Sequence, residues 1–135
     1  MLKSTLVKAL TVIVLVGTPV ALNPTIASAA PTVNSFQIPL VYNSGTFSVC
    51  GLLGLCVTTP TVVTGETPGT VTFPVMGPYE GTYWMHWRNL GTGAAGVEAV
   101  LYNQATDLFT GAGPVILSMT NEREVIAGTG VFWVP

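Results

Sequence analysis

The chain has 135 residues, 49% of them hydrophobic and only 7% charged, with a net charge of −2. Both lysines, Lys3 and Lys8, stand at the extreme N-terminus, and Arg88 and Arg123 are the only other bases. Nucleic acid and anionic membrane surfaces demand basic clusters, so the composition disfavours both as partners, and the abundance of Val, Leu and aromatic residues argues against disorder.

Residues 1–29 read as a cleaved signal peptide. Lys3 and Lys8 give a basic region, ALTVIVLV (9–16) an apolar run, and Ala27-Ser28-Ala29 an A-x-A cleavage signal before Ala30. The run falls short of the about 20 apolar residues of a membrane-spanning helix and is followed by Gly17, Pro19 and Pro24. No Cys stands near the cut and no second hydrophobic span follows, which disfavours a lipoprotein or an anchored protein. The expected product is one secreted domain, residues 30–135, with two bases against six acids and so a net charge of −4. Its expected place is extracellular or in the cell envelope, with no transmembrane span.

From Ala9 to Gly65 there is no charged side chain. Either the first strands are covered on both faces, or they form a surface that meets lipid or a partner subunit. Short runs rich in Val, Thr, Tyr, Phe and Trp, separated by Gly and Thr-Gly stops, place candidate strands at 36–42, 46–50, 56–63, 70–75, 82–89, 97–103, 115–120 and 131–134. Pro39 and Pro74 interrupt two of them, which implies edges or bulges. Three Gly-rich segments, 91–97, 110–115 and 128–131, read as turns. Residues 97–109 also carry a helical stripe, Val97, Leu101 and Leu108, so a short helix competes with a strand there. The expected fold is all-β, an immunoglobulin-like or related two-sheet β-sandwich of seven or eight short strands.

In an oxidising compartment Cys50 and Cys56 are expected to form a disulfide. The loop between them presents Leu52, Leu53 and Leu55. These leucines are either an apolar docking knuckle for lipid or a partner, or a plug capping one end of the sandwich. The spacing C-x5-C is not a metal signature, and one His leaves zinc short of ligands.

A hairpin centred on Gly93 sets Arg88 opposite Glu98, His86 opposite Val100 and Trp84 opposite Tyr102. Alternation then sorts Tyr83, Met85, Trp87, Val97, Ala99 and Leu101 to a core face. Trp84, His86, Arg88 and Tyr102 become a candidate binding face, whose aromatic rings and donors suit a sugar or a peptide. A cross-strand aromatic pair that merely shields the sheet is the alternative.

Catalytic patterns fail one after another. His86 is the only histidine, and Ser35, Ser44, Ser48 and Ser118 lie in no G-x-S-x-G elbow. No carboxylate pair is readable from spacing, Glu122-Arg123-Glu124 reads as a solvated turn, and the Gly-rich turns lack Lys and do not open a helix. No enzyme, cofactor or metal is expected. Asn43 is followed by Ser44-Gly45 and gives no N-glycosylation acceptor, which fits a bacterial product. The layout, a leader, a β domain and the ending Phe132-Trp133-Val134-Pro135, resembles that of small exported actinobacterial proteins, a likeness of layout that implies no site residue. The expected function is non-enzymatic: an exported module that binds a protein, glycan or lipid of the cell envelope. A membrane-associated or pore-forming oligomer and a carbohydrate-binding module are the alternatives.

Overall fold

The computed structural model describes residues 29–46, 50–51, 53–76 and 81–135. The expected leader up to residue 28, most of the candidate strand 46–50, and Leu52 lie outside the described residues. Eleven strands follow in chain order: β1 (Thr32–Ser35), β2 (Leu40–Asn43), β3 (Leu55–Thr58), β4 (Thr61–Thr64), β5 (Thr70–Phe73), β6 (Thr82–Asn89), β7 (Ala95–Leu101), β8 (Thr106–Phe109), β9 (Gly113–Thr120), β10 (Glu124–Ile126) and β11 (Gly128–Val134). The described residues contain no helix.

The strands form three antiparallel sheets, ordered β1-β4-β5-β8, β10-β2-β3 and β11-β9-β6-β7. The all-β, sandwich-like class therefore stands, with eleven strands and three sheets in place of seven or eight strands in two. One apolar cluster joins all three sheets: Leu40 and Cys56 from one, Val62, Val71 and Phe73 from another, Met85, Leu117 and Val134 from the third.

Alternation explains the long sheet. In β9, Val115, Leu117 and Met119 are buried, while Pro114, Ile116, Ser118 and Thr120 on the other face are only partly covered. β6 buries Tyr83, Met85 and Asn89 and exposes Trp84, His86 and Arg88. β11 buries Phe132 and Val134 and exposes Val131 and Trp133. A period of two with one covered face is what a half-buried strand requires.

Several boundaries differ from expectation. The run 56–63 is two strands in different sheets, because the chain turns at Thr59-Pro60, where proline cannot donate to a ladder. The run 36–42 shortens to β2, preceded by an isolated bridge from Ile38 to Thr129. β2 is the middle strand of its sheet, and Pro39 precedes it. Pro74 follows the end of β5. The region 97–109 holds two strands, β7 and β8, joined by a turn.

Residues 128–131 are not a turn. They lie in β11, where Gly130 gives up its side-chain space to the Phe132 ring and Gly128 packs on Leu40 and Pro60. Phe132 in turn lies 5.4 Å, centroid to centroid, from Phe36. Glu122-Arg123-Glu124 is also more than a solvated turn. The Arg123 carbonyl accepts from Asn43 N, its Nη1 donates to the Ser44 carbonyl at 2.9 Å, and Glu124 pairs with Tyr42. The charge-free N-terminal region is not covered on both faces: β1 and β3 are sheet edges that expose Val33 and Val57, while Phe36, Leu40, Tyr42 and Val62 enter the core.

Candidate binding surface

The β6–β7 hairpin is built around Asn89, which is fully buried. Its Oδ1 accepts from Gly91 N at 2.9 Å and Thr92 N at 3.0 Å. The two hydrogens of its Nδ2 are shared among the carbonyls of Thr110, Gly111 and Ala112, at 3.0–3.1 Å. One amide thereby closes the hairpin turn and ties it to the β8–β9 connection. Asn89 N bonds Ala94 O and Gly93 N bonds Asn89 O, with Gly93 at φ +77°, a left-handed conformation that suits glycine.

This four-residue loop, Leu90 to Gly93, sets the register. Tyr83 pairs with Val100, Trp84 with Ala99, Met85 with Glu98, His86 with Val97, Trp87 with Gly96 and Arg88 with Ala95. The register differs by three residues from the one centred on Gly93. An odd shift moves every β7 side chain to the other face. Arg88 and Glu98 therefore occupy opposite faces and do not pair, and Val100 is buried while Val97, Ala99 and Leu101 are exposed. Tyr102 leaves the candidate face: it lies beyond β7, half-buried against the core, its carbonyl accepting from Met76 N. The faces assigned to β6 are as expected, those of β7 reversed.

Gly96 shows why this register is stable. A Cβ there would stand 2.8 Å from Trp87 Nε1, so only glycine lets the indole lie across the neighbouring strand.

The outer face of the β11-β9-β6-β7 sheet assembles from these pairings. Trp84, His86 and Arg88 run along β6, flanked by Ala99, Val97 and Ala95 on β7. Across β9 they meet Thr120, Ser118 and Ile116. Ile116 faces Val131, and Pro114 faces Trp133 on β11. Trp133 is 68% exposed and Trp84 44%, and Val97, Leu101 and Val131 are each about half exposed. His86 Nε2 lies 3.2 Å from Thr120 Oγ1. Arg88 is the cation of this face, and none of its strand positions holds a carboxylate. The local pattern singled out Trp84, His86 and Arg88. It missed Val97, Leu101, Ile116, Val131 and Trp133, although the alternation of Phe132, Trp133 and Val134 carried the signal for the last.

Cys50 and Cys56 are disulfide-bonded, with Cα atoms 4.9 Å apart. Leu53 is 76% exposed and Leu55 more than a third exposed, so neither plugs the sandwich. Among the described residues no group of three or more His, Cys, Asp or Glu gathers as metal ligands would.

Fold and face together define an all-β, sandwich-like, disulfide-bonded protein whose β11-β9-β6-β7 sheet, among the described residues, exposes apolar side chains on its outer face. No protein-family model, no curated protein and no solved structure matches the chain. The disulfide is compatible with an extracellular location, and among the described residues no helix is long and apolar enough to cross a membrane.

Proposed function

We propose that this chain is an exported, non-enzymatic binding module of the extracellular space or cell envelope, and that the outer face of the β11-β9-β6-β7 sheet is its contact surface. The observation that carries the reading is the exposure, on one sheet face, of Trp84, Val97, Leu101, Val131 and Trp133 together. Large exposed apolar side chains gathered on one sheet face mark an interaction surface. Aromatic anchors beside hydroxyls and an arginine are a usual make-up of a binding surface. His86 faces Ser118 across the sheet, yet no carboxylate joins them on that face, so the arrangement offers recognition rather than nucleophilic chemistry.

Two exposed indoles on a pleated, hydroxyl-bearing surface favour a glycan as the first ligand class. Membrane insertion fits less well, because the longest described strands have eight residues against about 9–11 for a spanning strand. Co-sedimentation with insoluble cell-wall polysaccharide, run beside neutral and anionic liposomes, tests the reading. Retention on the polysaccharide supports it. Flotation with liposomes alone would transfer the assignment to a membrane-associated protein, and no retention on any of them would remove it.

A further inference from the structure

A cavity of about 300 Å³ opens where the three sheets meet, apart from the outer face just described. Its inner wall is Tyr42, Cys56, Tyr83 and Met119, all buried, and Met76 and Pro74 close one side. Thr58, Thr59 and Thr61 also line it, on either side of the Pro60 corner that sends β3 and β4 into different sheets. Among the described residues these three hydroxyls have no protein partner. No Asp, Glu, Lys, Arg or His lines the cavity among those residues.

The disulfide belongs to this cavity. Cys50 and Cys56 both line it. Cys50 sits at φ +63°, a left-handed backbone conformation rarely adopted outside Gly, Asn and Asp. Such conformations persist where the surrounding structure enforces them, and they concentrate at binding sites. A cross-link of sequence separation six that shapes a cavity wall accounts for both observations.

We propose that this cavity binds one small, uncharged, mainly apolar molecule bearing a hydroxyl group, and that the Cys50–Cys56 disulfide holds the wall in its binding shape. The volume lies at the lower end of the range for small-ligand sites, about 300–1,000 Å³. Among the described residues no charged side chain lines the cavity to replace the hydration a charged ligand would lose, whereas apolar surface gains by burial against Met119 and the tyrosines. The free threonine hydroxyls supply the polar contacts that orient such a molecule.

The test titrates the oxidised protein with 2-naphthol, which is neutral and carries one hydroxyl, and with naphthalene-2-sulfonate, its anionic counterpart. Amide chemical shifts locate each site. The expected result is saturable binding of 2-naphthol with half-saturation below about 1 mM, with shifts at β3, β4 and Met119, and at least about tenfold weaker binding of the sulfonate. Thr58→Trp fills the cavity from an exposed position and raises the half-saturation by about tenfold or more at unchanged melting temperature. The C50S/C56S variant weakens binding, and the W84S/W133S variant leaves it unchanged. Non-saturable binding, equal affinity for the two probes, an unaltered Thr58→Trp titration, or shifts confined to the outer sheet face would each overturn the proposal.

Discussion

Asn89 ties the β6–β7 turn to the β8–β9 connection. It is buried, and both ends of its amide are hydrogen-bonded. Replacing it by alanine strands the Thr110 and Ala112 carbonyls and two N–H groups in or near the interior, while the Gly111 carbonyl keeps the Thr110 hydroxyl. Unsatisfied buried groups cost about 1–3 kcal/mol each, and local relaxation recovers part of that. Asn89→Ala should therefore lower the unfolding free energy by about 3 kcal/mol in urea denaturation. A loss below about 0.5 kcal/mol would mean that solvent takes over those partners. Gly96 is the second residue of this kind. In Gly96→Ala the new methyl meets the Trp87 indole, and the strain should cost about 1–3 kcal/mol. The Trp fluorescence spectrum should shift as the ring moves; an unchanged spectrum and melting temperature would contradict the packing. Neither residue announces its role in the sequence. An asparagine before Leu-Gly-Thr-Gly reads as turn chemistry, and its bonds to residues 110–112 depend on a chain segment about 20 positions away.

At the scale of elements, period-two patterns were legible and partners were not. β6 begins and ends where the pattern places it, and Tyr83 and Met85 point inward as alternation requires. β1, β8 and β10 escaped notice, because three- or four-residue strands with Thr, Asp or Glu in them carry too few alternations to stand out. The β6–β7 register depended on the loop, and the loop depended on the Asn89 side chain, so the Arg88–Glu98 pair expected from a Gly93 centre does not form. Gly96 opposite Trp87 suits the register that forms, since a glycine there leaves the ring its space. The disulfide acts on this scale too. It closes a loop of sequence separation six, for which chain-entropy reasoning gives about 2 kcal/mol. Reduction, or the C50S/C56S variant, should lower stability by about that amount while leaving the antiparallel sheet signature in circular dichroism. Loss of the whole sheet signature would show that the staple supports far more than its loop.

For the whole molecule, the sandwich-like class follows from many short strands and regular stops, whereas the corner at Thr59-Pro60 sends β3 and β4 into different sheets and the third sheet draws its strands from the rest of the chain. The contact surface was half legible for a related reason. Trp84, His86 and Arg88 share a face by local alternation, but Trp133 joins them only through the order β11-β9-β6, which no local pattern encodes. With that order the face becomes an apolar surface carrying one arginine and no carboxylate at its strand positions. Its exposed indoles are the groups whose removal should matter most for binding and least for folding, since both point away from the core. The most direct measurement compares co-sedimentation with insoluble cell-wall polysaccharide of the native chain and of W84S/W133S. The account predicts at least about tenfold weaker retention of the variant, with its melting temperature preserved. Equal retention of the two proteins would contradict the assignment of the outer sheet face as the binding surface.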